Sequence, residues 1–204
     1  MKRKTSFSQP PIRLLAAVIA LLTGLSVAYS QQAPRTVQVD FANQIAYRYG
    51  AEPATVRRFL NAAIAREQEI GIPAAVVVAI ALRESSFTSE LFRMAGNPFG
   101  IKGFAPWDGP VYFMHHDGES TPFRVYNTPE EAVSDFGRFI QARAWYSDAL
   151  ACPMDDYACV VHGLKKTETE PGYALDPFWA QGVLSVLYEN NLDQLTSHLK
   201  APGR

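Results

Sequence analysis

Apolar and polar positions along this chain of 204 residues fall into stretches of different period. Val56, Phe59, Leu60, Ala63 and Ile64 recur at the spacing of one helical face, which predicts an amphipathic helix. Gly71 ends it, and Pro73 suits the first turn of the next helix. Ala74 to Leu82 is unbroken apolar sequence, closed by Arg83-Glu84. A helix that is apolar all round belongs at the centre of a core, so a buried helix is predicted to end near Glu84. Residues 96–103, Gly-Asn-Pro-Phe-Gly-Ile-Lys-Gly, form a turn-rich loop. Val111-Tyr-Phe-Met114 and Phe123-Arg-Val-Tyr126 flank Asp117-Gly118 as a hairpin would.

Thr128-Pro129-Glu130-Glu131 then opens a helix, with Thr as cap, Pro at the first helical position and Glu131 closing a capping box. Ala132, Phe136, Phe139, Ile140 and Arg143 share one of its faces. A shorter helix is predicted over 155–162. Asp176-Pro177 opens the last helix, with Trp179, Val183, Val186 and Leu187 inward. The pattern contains no internal repeat. It predicts an α+β domain over 39–200, mostly helical, with a small β excursion after the buried helix and a cleft between the two parts.

The first thirty residues read differently. Lys2, Arg3, Lys4 and Arg13 precede an almost wholly apolar run from Leu14 to Val27, and Ala28-Tyr29-Ser30 places small residues where a signal peptidase reads. The expectation is a secretory signal cleaved before Gln31, then a disordered leader over 31–38, giving an exported protein without stable membrane insertion. An uncleaved anchor is the alternative, but the apolar run is short beside the ~20 residues that a span needs. No Cys follows the run, which argues against a lipoprotein. Removal of residues 1–30 takes away four positive charges and no negative ones, from a chain of formal charge −1. The acidic remainder has no Lys/Arg cluster to neutralise phosphates, so nucleic acid is not an expected partner.

Two cysteines, Cys152 and Cys159, are present. In an oxidising compartment they read as a disulfide closing a small loop; free buried thiols are the alternative. With only His162 nearby they fall short of a zinc set, and His115, His116 and Asp117 make a poor metal group. No metal or other cofactor is expected.

Glu84 carries the candidate chemistry. At a helix C-terminus it faces the negative end of the macrodipole, and apolar surroundings disfavour its ionised form. Both raise a carboxyl pKa. A Glu that keeps its proton near neutral pH can deliver it to a glycosidic oxygen. By itself the residue also reads as a solvated helix end paired with Arg83.

The motifs around Glu84 resemble the glucosaminidase domain of glycoside hydrolase family 73, bacterial enzymes that cut peptidoglycan. The resemblance spans about 56–195. Glu84-Ser-Ser stands where the family has Glu-Ser-Gly, and Asn97-Pro-Phe-Gly-Ile-Lys102 resembles its Asn-(Leu/His)-Phe-Gly-Ile-Lys. Trp107-Asp-Gly109, Phe123-Arg-Val-Tyr126, His162-Gly-Leu-Lys-Lys166 and Gly172-Tyr-Ala-Leu-Asp-Pro177 follow in family order. The resemblance implies a lysozyme-like fold and cleavage of the β-1,4 bond between N-acetylglucosamine and N-acetylmuramic acid. Glu84 matches the catalytic acid, and Tyr173 an aromatic beside the scissile sugar. Asn97, Phe99, Trp107 and Tyr126 fall in motifs expected to line the substrate site. Phe99 reads equally as a sugar platform or a core ring, and Tyr173 as a substrate contact or a plain core tyrosine.

The departures concern the second catalytic group. In many relatives acidic residues sit within the hairpin; here the segment is Val111-Tyr-Phe-Met-His-His-Asp-Gly-Glu-Ser-Thr-Pro-Phe-Arg124, with Asp117 and Glu119 as candidates that match imperfectly. His115 and His116 are adjacent, so at most one faces a cleft. Thr167-Glu-Thr-Glu-Pro171 is an insertion ahead of Tyr173. A route in which the substrate's N-acetyl group is the nucleophile needs only Glu84 and a group to steady the amide. Two other readings stand beside hydrolysis: a lytic transglycosylase using the same Glu84, and a catalytically silent glycan-binding domain. A protein partner for targeting to the wall is the remaining expectation.

Overall fold

The structure, a computed structural model, describes residues 41–116, 118–165 and 172–195. The predicted signal, the leader, Asp117 and the 167–171 insertion lie outside the described residues.

The first described element, α1 (residues 41–49), has no counterpart in the sequence expectations. Phe41, Ala42, Ile45 and Ala46 are buried along one stripe of it. Helix α2 (Pro53–Ile70) starts with Glu52, whose carboxylate accepts from Thr55 N–H at 2.6 Å, and ends at Gly71 in the left-handed region. It buries Val56, Phe59, Leu60 and Ala63.

Helix α3 (Ala74–Ser85) is buried from Ala74 through Leu82, as its unbroken apolar run predicts. Pro73 caps this helix from outside its first turn. The C-terminus is held by Ser86 at φ 52°, whose N–H donates to Leu82 O, and Phe87 follows at φ 54°. Two successive non-glycine residues in the left-handed region carry strain next to Glu84.

A short helix, α4 (Glu90–Ala95), is capped by Ser89 and stops at Gly96. A Cβ at Gly96 would lie 2.2 Å from Tyr126 O, so the close approach of α4 to the end of the β-lobe requires glycine. Strands β1 (Val111–His116) and β2 (Glu119–Arg124) pair antiparallel with Val111 opposite Arg124 and His116 opposite Glu119. The second strand therefore stops at Arg124 rather than running to Tyr126, because Tyr126 N–H turns to donate to Ala95 O.

Helix α5 (Pro129–Gln141) begins as its motif predicts. Thr128 Oγ1 accepts from Glu131 N–H at 3.1 Å, while Glu131 accepts from Asn127 N–H at 2.8 Å. A 3₁₀ turn (Ala144–Tyr146) leads into α6 (Ser147–Ala151), and α7 (Tyr157–Leu164) follows. Cys152 and Cys159 are joined in a disulfide between α6 and α7. The last helix, α8 (Trp179–Glu189), is followed by a 3₁₀ turn (Leu192–Gln194). Asp176 opens this segment by accepting from Phe178 N–H.

α3 is packed by α2 on one side and α8 on the other, and α5 lies across α2. The core is thus built of helices around α3; the hairpin packs against α4, and its Arg124 shares a cavity with Glu84, at the boundary between helical body and β-lobe. Among the described residues no helix is long and apolar enough to cross a membrane.

Candidate active site

Glu84, one residue from the end of α3, lies in a cavity of about 370 Å³. Phe99, Ile101, Lys102, Phe104 and Pro106 line it from the loop after α4, Arg124 from β2, Phe139 and Arg143 from the end of α5, and Tyr173 from the segment before α8. Among the described residues Glu84 is the only carboxylate in this lining. By surface area its side chain is open, yet the carboxyl is recessed among protein atoms. That desolvation raises its pKa above the ordinary glutamate value, and a hydrogen bond from Trp179 and the Arg83 charge oppose the rise. Trp179 Nε1 donates to Glu84 Oε1 at 2.7 Å.

Arg83 turns away from Glu84. Its guanidinium pairs with Asp176 Oδ2 at 3.1 Å, passing over Gly182, where a Cβ would meet Arg83 Nε at 2.6 Å. The reading of Glu84 as a helix end paired with Arg83 is thereby replaced by a physical alternative: the cation is taken by Asp176, and Glu84 is left to the indole.

Tyr173 stacks on Trp179, with ring centroids 5.2 Å apart and 29° between the planes. Its hydroxyl donates to Phe99 O at 2.5 Å. Burial, with Glu84 close by, pushes its phenol well above the usual range, so it stays neutral. With the hydroxyl proton committed to Phe99, the phenol oxygen has acceptor capacity left for an amide N–H in the cavity.

The other expected substrate contacts divide. Phe99 lines the cavity but is only 2% exposed and stacks on Phe136 at 4.6 Å, so it is chiefly a core ring with an edge at the cavity wall. Asn97 is fully buried and all of its side-chain amide is used. Nδ2 donates to Ile101 O (2.9 Å) and Arg124 O (3.0 Å); Oδ1 accepts from Phe99 N–H and Ile101 N–H. Tyr126 is likewise buried, its hydroxyl donating to Asp135 Oδ2 at 2.7 Å. Neither side chain is in the lining around Glu84: the Asn97 amide is wholly engaged by the loop it holds together, and the Tyr126 hydroxyl proton is committed to Asp135. Trp107 is half-buried, lies under the Arg124 guanidinium at 4.4 Å and lines a second cavity.

Glu119 is exposed at the hairpin tip, opposite His116, and is absent from the lining around Glu84. His115 is exposed on the neighbouring strand. The carboxylate that acts on Glu84 electrostatically is Asp176, already engaged by Arg83 and the Phe178 N–H. Among the described residues, no group of three His, Cys, Asp or Glu side chains is placed to hold a metal ion.

Sequence reasoning passed over Arg124, Phe139 and Trp179 as site residues. Arg124 follows Phe123 in a motif that was read for its strand. Its charge is in fact buried, held by Asp135 Oδ2 at 2.8 Å and by Lys102 O. Trp179 fits the inward pattern of α8, and nothing in that pattern distinguishes an inward indole from one that reaches a carboxyl.

A recessed carboxyl at the tip of a buried helix, facing a cavity that the β-lobe joins through Arg124, sits in a mostly helical, lysozyme-like fold. The chain belongs to the glucosaminidase family, described as mannosyl-glycoprotein endo-beta-N-acetylglucosaminidase, whose pattern matches residues 60–192. Among curated relatives, the peptidoglycan hydrolase FlgJ of Salmonella typhimurium is 29% identical over 146 residues, 65% of this chain and 44% of that protein. FlgJ of Vibrio cholerae is 25% identical over 146 residues, 66% of this chain and 42% of that protein. The chain therefore spans less than half the length of these relatives. A solved peptidoglycan hydrolase from Sphingomonas sp. A1 superposes with TM-score 0.59 at 26% identity, covering 74% of this chain and 97% of the other. The glycoside hydrolase domain of Salmonella FlgJ superposes with TM-score 0.56 at 23% identity, covering 71% and 94%, a likeness of fold.

Proposed function

We propose that this chain is an exported peptidoglycan hydrolase that cleaves the β-1,4 bond between N-acetylglucosamine and N-acetylmuramic acid, with Glu84 as general acid. The observation that carries the reading is the placement of Glu84: a recessed carboxyl, raised in pKa, held by Trp179 and alone among the described carboxylates in the cavity lining. The names of the FlgJ and Sphingomonas relatives support peptidoglycan as substrate.

Among the described residues Glu84 has no second carboxylate beside it in this lining, and an acid acting without one suits substrate assistance. In that route Glu84 gives its proton to the glycosidic oxygen while the carbonyl oxygen of the N-acetyl group bonds to C1 and the C1–O bond breaks. The N-acetyl N–H, made more acidic by this attack, donates a hydrogen bond to the Tyr173 oxygen and keeps its proton. Water then adds at C1 as the bond between C1 and the N-acetyl oxygen breaks, and a proton of that water returns to Glu84. Glu119 or Asp117, brought over the cleft by movement of the hairpin, is the competing source of a base.

Digestion of defined muropeptides with mass analysis of the products tests the reading. Products heavier than the parent fragments by one water, with new reducing N-acetylglucosamine ends, are expected. Anhydro-muramyl products would instead assign the same Glu84 to a lytic transglycosylase, a reading that the single carboxylate also accommodates. Strand binding without turnover, unaltered by Glu84→Gln, would mark a silent glycan-binding domain.

A further inference from the structure

The cavity around Glu84 does not end at Phe139. A second cavity of about 620 Å³ continues from it, sharing Pro106, Arg124, Phe139 and Arg143 and extending to Trp107, Arg138 and Trp145. The charges in this extension are unequal. Arg124, Arg138 and Arg143 line it against two carboxylates, Asp108 and Asp135. Asp135 is spent on two of the three cations: its Oδ2 takes Arg124 at 2.8 Å and the Tyr126 hydroxyl, and its Oδ1 takes Arg138 at 3.2 Å. Asp108 is at the exposed rim.

Arg143 is left without an ion pair among the described residues. It is half-buried, with its guanidinium 3.6 Å from the Phe139 ring centroid and one nitrogen donating to Phe139 O at 2.6 Å. Desolvation lowers its pKa, and Arg124 nearby adds to the lowering against the pull of Tyr146 and Asp135. A half-buried guanidinium held over an aromatic ring, with donors left over and a surplus of positive charge around it among the described residues, is a preorganised fork for a carboxylate. Its position at the junction of the two cavities puts that fork one step along the groove from Glu84.

We propose that Arg143, seconded by Arg138 and walled by Trp107 and Trp145, forms an anion subsite that recognises a carboxylate borne by the glycan strand, and so selects muramyl-containing strands over uncharged N-acetylglucosamine polymers. The proposal rests on the peptidoglycan reading of the cleft. Two sources supply the same chemistry: the lactyl carboxylate of muramic acid when its peptide is absent, and the acidic groups of the peptide stem when it is present.

The test uses binding, so that it does not depend on turnover. Glu84→Gln protein and the Glu84→Gln/Arg143→Gln double variant are titrated with peptide-free glycan strands, peptide-bearing strands and an N-acetylglucosamine oligomer of equal length. Loss of the fork is expected to weaken carboxylate-bearing strands by about tenfold, equivalent to about 1.4 kcal/mol. The uncharged oligomer should bind both proteins alike, and raised salt should shrink the difference. Arg143→Lys should recover part of the loss. If only peptide-bearing strands lose affinity, the stem supplies the carboxylate; if peptide-free strands lose it too, the lactyl group does. Equal affinity of the two proteins for all carboxylate-bearing strands, or an equal loss with the uncharged oligomer, overturns the subsite. Failure of the hydrolase reading would show separately, as absence of any turnover by the unmutated protein while the carboxylate-dependent difference in binding persists.

Discussion

Trp179 Nε1 holds Glu84 Oε1 at 2.7 Å while the same indole ring carries Tyr173 stacked at 5.2 Å. One side chain of α8 thus positions both an acid from α3 and a phenol from the preceding segment. The hydrogen bond favours the carboxylate and opposes the larger desolvation that favours the acid, so the indole lowers the pH at which Glu84 gives up its proton from where burial alone would put it.

Removing that hydrogen bond should therefore raise the Glu84 pKa further. Trp179→Phe keeps a ring beneath Tyr173 and is expected to move the alkaline limb of the pH–rate profile to higher pH, because the acid stays protonated further up. The profile of kcat/KM against pH on cell-wall substrate checks this. A limb that stays in place or moves down would detach Glu84 from that limb.

Glu84→Gln should lower the rate of reducing-end release by about 10²–10⁴-fold, the range of a general acid. It should also stabilise the fold near neutral pH. A group whose folded pKa is raised contributes stability that is fully present below its unfolded pKa and is lost as pH rises through the folded value. Glutamine never ionises and escapes that loss. The melting temperature of the variant is expected above that of the parent at pH 7, and the gap should close below the ordinary glutamate pKa of about 4.3. Thermal melts at several pH values measure it.

Ser86 occupies the left-handed region at φ 52°, where the related motif has Gly. An L side chain in that region costs about 1–2 kcal/mol, and glycine gives part of this back through its freer unfolded chain. Ser86→Gly is expected to stabilise by about 0.5–1 kcal/mol with activity retained, read by urea unfolding at constant m.

Asn97→Ala should destabilise by about 3 kcal/mol, because it leaves the buried Ile101 and Arg124 carbonyls and two N–H groups without their partner. Activity should fall with stability even though Asn97 faces no substrate, since Phe99 O, the acceptor for Tyr173, sits in the loop that Asn97 organises. Denaturant titration and turnover on the same preparation test the pair of effects.

Local chemistry in the sequence foretold much of this architecture. The apolar run Ala74–Leu82 became the central helix, Thr128 and Glu131 capped α5, and Cys152 met Cys159. These features depend on neighbours along the chain. Helices α1, α4 and α6 were missed for the same reason: six or fewer residues carry too little period in α4 and α6, and α1 opens beside an unpatterned leader.

The sequence by itself determined that an acid ends a buried helix, that a β excursion follows, and that the aromatic and glycine motifs lie in the order of one family. Those are properties of spacing, and spacing is one-dimensional. Only the tertiary structure decided which partner each charge found. Arg83 went to Asp176 rather than Glu84, Asn97 bonded to Ile101 and Arg124, Tyr126 bonded to Asp135, and Arg143 has no ion pair among the described residues. Pairing of that kind joins residues 93 positions apart for Arg83 and Asp176 and 95 apart for Glu84 and Trp179, a separation that no local pattern records.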